Sequence, residues 1–418
     1  MKHVTHLDVL LAGQKVGMLV RSPHAGISFA YDETWLQQGF DLAPGSDLSF
    51  QAGFQITRDR TFEGLVGVFN DSIPDGWARL LIDRAIAHRT GWGVRDILPL
   101  DRLSYIGAHG MGALEYRPAS ADEQEQPLDW NELADLRIEA EAFIHNEPDA
   151  ATDRMIARLR EFGGSPGGAR PKAEIALSDD QQHCRSSRLP LPSGYAHWLV
   201  KFRGRGDGND KGAVEYVYSL MAKEAGLEMP DTSLITIPRS LDRFFSIKRF
   251  DRDRESKLHM LSLAAYINAD FRVPSIDYSH VLGATWRITE DRRELEKAYR
   301  LMVFNVMAHN HDDHAKNFTF LRRDRWLLSP AYDLTFSQFI GHRGQSEHAT
   351  TINGKGLPAR RDLLIVAKDY DLEKPERILE EVGHAVCQWP SMAAAHGVAP
   401  KTNKDIERTL AEIRNRML

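Results

Sequence analysis

From Asn317 to Asp333 the chain reads NFTFLRRDRWLLSPAYD, and no other stretch constrains the fold as tightly. Phe318–Leu321 and Trp326–Ser329 are apolar-rich runs of equal length, with the charged residues Arg322–Arg325 between them. Two short strands around such a turn predict an antiparallel hairpin. A hairpin with equal arms returns its outer ends to one place. The amide of Asn317 and the carboxylate of Asp333 are therefore expected to share a site at its open end.

The residues leading into this hairpin, AHNHDDHAKNF (Ala308–Phe318), admit two chemistries. In the first, His309, His311, Asp313 and His314 spell the H-x-H-x-D-H of zinc hydrolases, and imidazole with carboxylate suits Zn²⁺. That chemistry needs the motif after a strand and further ligands downstream. Here it follows a helical pattern, with Leu295, Tyr299, Met302 and Val306 forming an apolar stripe. The later histidines, His342, His348, His384 and His396, form no recognisable motif. In the second chemistry, Asp312 and Asn317 stand at the spacing of a kinase catalytic loop, and Asp313 does not. There an aspartate faces the acceptor hydroxyl and an asparagine five positions on holds magnesium. Asp333 would add the second hard oxygen ligand that Mg²⁺ prefers. Ordinary surface turns would also use Asp312 and Asp333.

A kinase must hold phosphates as well. GGSPGGARPK (163–172) offers Gly163, Gly164, Gly167 and Gly168 ahead of a strand. Glycines let main-chain amides approach phosphate oxygens, although the Walker form, with Gly-Lys-Ser/Thr before a helix, is absent. Lys201 lies in the apolar strand HWLVKF, where it either snorkels at the edge or meets phosphates. Glu215, in the following helix, is its candidate ion-pair partner. Each signal alone is weak, but they occur in the chain order of a kinase domain.

The remaining pattern fits that order. HLDVLL, KVGMLV and ISFAY read as strands, a helix runs from about Asp75 to His88 after Pro74, and ALEYRP reads as a last strand. PASADEQEQP (118–127) reads as a linker. Helical patterns follow near Trp130–His145 and Ala151–Phe162. Residues 163–250 predict a small mixed sheet with one helix inserted, ending at Gly226, and with 179–194 as a polar loop. After Asp253 the pattern is mostly helical. The 418 residues allow two or three domains, divided as 1–118, 119–253 and 254–418. A net charge of −6 argues against a broad grip on nucleic acid or an anionic membrane. Two cysteines, Cys184 and Cys387, cannot build a disulfide framework. No apolar run approaches the ~20 residues of a membrane span, and the N-terminal segment lacks a signal-peptide core. A soluble cytoplasmic protein is expected.

Together these residues resemble the HipA family of bacterial toxin serine/threonine kinases. The resemblance is carried by FNDSIPDGWARLLI (Phe69–Ile82), SPGGARPK (Ser165–Lys172), HWLVKF, KRFDR (Lys248–Arg252), DDHAKNF (Asp312–Phe318) and SPAYD (Ser329–Asp333). It implies an α+β, protein-kinase-like fold, with a mixed β N-lobe, a helical C-lobe and an extra N-terminal β-rich subdomain. It implies ATP and Mg²⁺ as cofactors and a HipB-like DNA-binding antitoxin as partner, with DNA reached only through that antitoxin. It implies phosphorylation of a serine on a protein target, with aminoacyl-tRNA synthetases as targets known in the family. By position, Asp312 resembles the catalytic base, and Asn317 and Asp333 the magnesium ligands. The ATP-binding set would be Gly167, Gly168, Ala169, Arg170, Pro171, Lys172, Lys201, Lys248, Arg249, Phe250, His314, Lys316 and Tyr332. Glu215 would pair with Lys201, and Ser165 matches the serine that the family autophosphorylates. Two residues depart from the family pattern: Asp313, where glycine is common, and Pro166 after Ser165.

Two rival functions remain at this level. The Asp312, His314, Asn317 spacing also resembles lipid kinases, so a small-molecule or lipid phosphotransferase is the alternative. FNDSIPDGWARLLI favours the toxin reading, because simple small-molecule kinases lack that subdomain. A catalytically dead co-repressor is the other rival, and the presence of Lys201, Asp312, Asn317 and Asp333 argues against it.

Overall fold

The structure is a computed structural model that describes residues 2–22, 26–120, 128–145, 158–159, 168, 170–204, 206–254, 256–338 and 346–417. It contains two compact units, Met1–Asn209 with Ile235–Leu261, and Asp210–Leu234 with Ser262–Leu418.

The first unit opens with strands β1 (His6–Leu11), β2 (Gln14–Ser22) and β3 (Gly26–Tyr31), later joined by β4 (Leu114–Arg117). Their order is β3-β2-β1-β4, all antiparallel. Period-two alternation buries Leu7 and Val9 of β1. Between β3 and β4 the chain is helical. Helix α1 (Gly76–Thr90) begins after Pro74 as expected, and α2 (Pro99–Ile106) was not foreseen. All eight residues of α2 are buried, including Asp101, Arg102 and Ser104, so polar letters face the core and hide its periodicity. The Arg102 guanidinium is paid for by Asp83 of α1, donating to its two carboxylate oxygens at 2.7 and 3.1 Å.

Helix α3 (Trp130–His145) forms where it was expected, whereas most of the predicted helix at Ala151–Phe162 lies outside the described residues. A second sheet follows: β5 (Lys172–Ser178), β6 (Cys184–Ser186), β7 (Tyr195–Lys201), β8 (Thr232–Thr236) and β9 (Arg243–Lys248), in the order β6-β5-β7-β9-β8. The β5–β6, β5–β7 and β7–β9 pairings are antiparallel. Strand β6 falls within the expected polar loop. Trp77 and Leu81 of α1 pack in one core with Leu133 of α3 and with Ala173, Ile175 and Val200 of the sheet. That shared core fixes α1 against the sheet that carries Lys172 and Lys201.

The second unit is mainly helical: α4 (Lys211–Glu224), α5 (Tyr278–Thr289), α6 (Arg292–Met307), α7 (Arg360–Asp369), α8 (Pro375–Cys387) and α9 (Pro400–Met417). Helix α4 stops as its sequence predicts. Gly226 adopts φ +77°, and the Leu227 N–H bonds the Ala222 carbonyl at 2.9 Å, a Schellman closure. The expected hairpin is present as β10 (Thr319–Arg322) and β11 (Trp326–Leu328), with Phe320 opposite Leu328 and Arg322 opposite Trp326. Its second arm docks on α6, where the Leu328 N–H donates to the buried Glu294 carboxylate at 2.9 Å. Among the described residues, no helix is long and apolar enough to cross a membrane.

Candidate active site

In the second unit, the loop after α6 is held by a buried polar network. Asp291 caps the start of α6 by accepting the Arg293 N–H at 2.9 Å. At the far end, the Tyr218 hydroxyl of α4 donates to the Ala308 carbonyl at 2.6 Å. His309 then turns the chain with φ +53°. Asn310 donates to the Asn305 side chain, Asn305 donates to the Tyr278 hydroxyl, and Tyr278 donates to Asp313, each at 2.9 Å. The fully buried Asp313 also takes His348 Nδ1 at 2.9 Å and the Thr350 N–H at 3.2 Å. Its two oxygens are used inside the protein, as an anchor.

Asp312, next to it, faces outward. Its side chain is exposed, while its N–H donates to Ser337 Oγ at 3.1 Å. The loop closes in a 3-10 turn over Ala315–Asn317, and the Asn317 amide nitrogen donates to the Asp312 carbonyl at 2.7 Å. With its nitrogen engaged there, the amide keeps its oxygen as an acceptor free of that bond. The hairpin then returns the chain. The Ser329 N–H bonds the Thr319 carbonyl at 2.8 Å, and the Tyr332 hydroxyl lies 2.6 Å from Thr319 Oγ1 and donates to the Lys316 carbonyl at 2.5 Å. Tyr332 thus bridges to both sides of Asn317, and Asp333 follows it at φ +57°. A non-glycine residue in that region stores strain that the surroundings must sustain, a common mark of functional positions. The hairpin register and the Tyr332 contacts place Asn317 and Asp333, the two residues expected to offer oxygen to a hard cation, at the same end of the hairpin. Phe271 lies against two predicted nucleotide residues: its ring is 5.0 Å from the His314 ring and 5.1 Å from Lys316 Nζ. His314 Nδ1 is buried with no hydrogen-bond partner among the described residues.

The zinc pattern resolves differently. The His309 and His311 rings lie tilted against each other at 3.9 Å between centroids, and those of His311 and His348 at 4.3 Å. His311 Nδ1 lies 2.7 Å from Ser346 Oγ. Burial, reinforced by the neighbouring His348, lowers the His309 imidazole to about 4 and that of His311 to about 2. Among the described residues, no group of three or more His, Cys, Asp or Glu is arranged to hold a metal ion. The histidines pack as neutral rings behind the loop.

The first unit carries the expected phosphate-facing residues. Lys201, at the end of β7, stands directly opposite Lys172 on β5. Cross-strand partners share a face of the sheet, so Lys172 and Lys201 lie on the same face. Lys201 Nζ lies 5.5 Å from the Phe245 ring. Gly168 has φ +99°, and a Cβ there would come within 2.7 Å of Lys172 Nζ. Arg170 donates to both oxygens of Asp207, at 2.7 and 3.0 Å. The Pro171 carbonyl accepts the Phe202 N–H at 2.9 Å, continuing the ladder beyond Lys201. Ser165, Gly167 and Ala169 lie outside the described residues.

Along KRFDR, Lys248 is exposed at the end of β9, followed by buried Arg249 and half-buried Phe250. The Arg249 guanidinium binds Asp251 at 2.7 and 2.9 Å and also reaches Glu174. Asp251 in turn accepts the Gly112 N–H at 2.9 Å, tying this strand to the N-terminal subdomain. Burial pushes the Asp251 carboxyl up, and Arg249 and Arg252 beside it more than reverse this, holding it below the usual carboxylate range. Any contact Arg249 makes with a nucleotide would therefore use its main chain. Glu215 is buried on α4 of the second unit, whereas Lys201 belongs to the first.

Sequence reasoning missed Asp75, Asp207, Phe271 and the anchoring role of Asp313. Only Asp75 left a signal, in the Pro-Asp-Gly that opens α1.

The HipA N-terminal domain family matches residues 7–117, and the HipA-like C-terminal domain family matches residues 164–416. Two proteins of Sinorhizobium fredii (strain NBRC 101917 / NGR234) are similar over most of their length. The one named "Putative kinase Y4dM" is 25% identical over 80% of this chain and 78% of its own. "Putative kinase Y4mE" is 27% identical over 78% of this chain and 76% of its own. Among solved structures, a chain of the Shewanella oneidensis MR-1 toxin–antitoxin complex of HipA, HipB and operator DNA superposes with a TM-score of 0.68. That match has 15% identity and covers 99% of this chain and 96% of the other. At that identity the likeness speaks to fold, which is α+β and protein-kinase-like with an extra N-terminal β-rich subdomain. Both domain families match in order, and the second alone spans more than half of the sequence, so the chain belongs to the HipA family.

Proposed function

We propose that this protein is a toxin serine/threonine kinase of a toxin–antitoxin system, transferring the ATP γ-phosphate to a serine of a protein target. The observation that carries the reading is the Asp312–Asn317–Asp333 turn. An exposed carboxylate, an amide pinned by the Asp312 carbonyl and a strained aspartate occupy one hairpin-closed loop. The names of the two Sinorhizobium relatives support a kinase.

In this reading Asp312 accepts the proton of the attacking serine hydroxyl. Asn317 and Asp333 would hold Mg²⁺, which neutralises charge on the phosphate oxygens when bound. Lys172 and Lys201 meet phosphates, and His314 and Lys316 contact the nucleotide from the catalytic loop. Lys248–Phe250 present main chain to the adenine, and Tyr332 completes the ATP-binding set. Glu215 is the ion-pair partner of Lys201 in the active kinase. The divisions 1–118, 119–253 and 254–418 are the N-terminal subdomain, the N-lobe and the C-lobe.

Regulation follows from charge. A phosphate on Ser165 would carry about −1.5 to −2 within a phosphate-binding loop and repel ATP, so autophosphorylation switches the kinase off. The partner is a HipB-like antitoxin, as in the complex of the Shewanella structural relative. The target class is an aminoacyl-tRNA synthetase, whose phosphorylation would stop translation and growth. Phosphoproteomics after brief induction, comparing wild type with Asp312→Asn, tests this. The reading predicts new phosphoserine on a synthetase and on Ser165 in wild type alone. Label appearing only in a lipid or small metabolite would replace it with the phosphotransferase alternative.

A further inference from the structure

The carboxylate of Asp75 is used in an unexpected direction. Asp75 is the N-cap residue of α1, a position where aspartate normally accepts N–H groups of its own helix. Here its side chain makes no such bond. Instead it accepts the N–H of Gly168, in the glycine-rich segment, across 93 residues of sequence. The same peptide is held from its other side, because the Trp77 N–H donates to the Gly168 carbonyl at 3.0 Å. Both main-chain groups of Gly168 are therefore bonded to the first turn of α1. Asp75 is only 6% exposed, so the bond is shielded from water.

The grip is rigid. Trp77 and Leu81 of α1 are packed into the core that holds Ala173 and Val200, on the strands bearing Lys172 and Lys201. Two residues beyond Gly168, the Arg170–Asp207 pair fixes the loop's exit a second time, and Asp207 also accepts the Gly204 N–H at 2.7 Å. Gly168 sits at φ +99°, where only glycine is comfortable, with Lys172 Nζ 2.7 Å from where a Cβ would stand.

We propose that Asp75 is a positioning residue: the N-terminal subdomain latches the exit of the glycine-rich loop and so presets the nucleotide-phosphate site. This rests on the kinase reading above. It assigns the N-terminal subdomain a role in nucleotide affinity. Without the latch, ATP must fix Gly168 and Lys172 as it binds, and that cost falls on nucleotide binding, leaving the chemical step alone.

The test has two arms. In the first, hydrogen exchange is followed in the full chain without nucleotide, on the peptide containing Gly168 to Lys172. Asp75→Ala is expected to speed exchange there, whereas Asp75→Asn, whose amide oxygen still accepts, keeps it near wild type. In the second, ATP kinetics are compared. Asp75→Ala is expected to raise KM for ATP about tenfold, equivalent to about 1.4 kcal/mol, with kcat changed less than about twofold. Asp75→Asn restores KM, and Gly168→Ala, strained from the loop side, repeats the KM defect. Unchanged exchange in Asp75→Ala overturns the latch, as does faster exchange with an unchanged KM. A wild-type protein that transfers no phosphate refutes the kinase reading, and with it the proposed effect on ATP.

Discussion

Asp312 and Asp313 are neighbours with opposite surroundings, and removing their carboxylates is expected to have opposite consequences. Asp313 is fully buried and accepts Tyr278 Oη, His348 Nδ1 and the Thr350 N–H. In Asp313→Ala all three groups lose their acceptor while remaining buried. Hydrogen bonds to a charged group are worth roughly 1.5–3 kcal/mol each. They are not additive, because Tyr278, Asn305 and Asn310 relax together along one chain of bonds. A total loss of about 3–5 kcal/mol follows, comparable to breaking one partner out of a buried ion pair. For a unit of this size each kcal/mol shifts the melting temperature by about 2–4 °C, so a fall of roughly 10 °C is expected. Asp312→Asn changes an exposed side chain and keeps the main-chain bonds to Ser337 and Asn317. Its stability should stay within about 0.5 kcal/mol of wild type while phosphotransfer disappears. Calorimetry and urea melts of the three proteins decide the matter. If Asp313→Ala melts within about 2 °C of wild type, the anchoring role assigned to Asp313 is wrong.

Other outcomes follow from the same geometry. Lys201→Met removes the ammonium group at the end of β7, a phosphate contact in the kinase reading. The same variant should lose most of the melting-temperature rise that saturating Mg-ATP gives wild type. Folded His309 and His311 titrate near 4 and 2, below the unfolded value of about 6.5, because burial disfavours their protonation. Between those values the unfolded chain binds more protons. Their contribution is therefore nearly constant above about pH 7 and is lost as pH falls, about 2 kcal/mol per ring by pH 5. His311→Gln should flatten the fall in denaturation midpoint between pH 7.5 and 5, and an unchanged slope would count against this. Gly226→Ala places a Cβ at φ +77°, 3.2 Å from the Arg300 guanidinium, and should cost about 1 kcal/mol in a urea melt without altering phosphotransfer.

The parts of this molecule governed by short-range rules were legible in its sequence. The hairpin around Arg322–Arg325, the start of α1 after Pro74 and the stop of α4 at Gly226 are local choices, and each formed where expected. Helix α2 was hidden because Arg102 and Asp101 are buried, and the partner that makes this tolerable for Arg102, Asp83, stands on another helix. Strand β6 was hidden because three residues in a polar loop become a strand only through pairing with β5. At the candidate site, Asp312, Asn317 and Asp333 could be named from spacing alone. Nothing local separates an exposed Asp312 from a buried Asp313. The difference is made by Tyr278, His348 and Thr350, each some 35 residues away in sequence. The latch on Gly168 was invisible for the same reason, since Asp75 looks like an ordinary helix cap until the distant loop is placed against it.

The central claim is that the Asp312–Asn317–Asp333 turn transfers the γ-phosphate of ATP. Its most direct test is transfer of label from γ-radiolabelled ATP with magnesium, using purified wild type and Asp312→Asn matched by their melting temperatures. The account predicts labelled protein with wild type and none above background with Asp312→Asn. Equal labelling by both, or none by well-folded wild type, would contradict it.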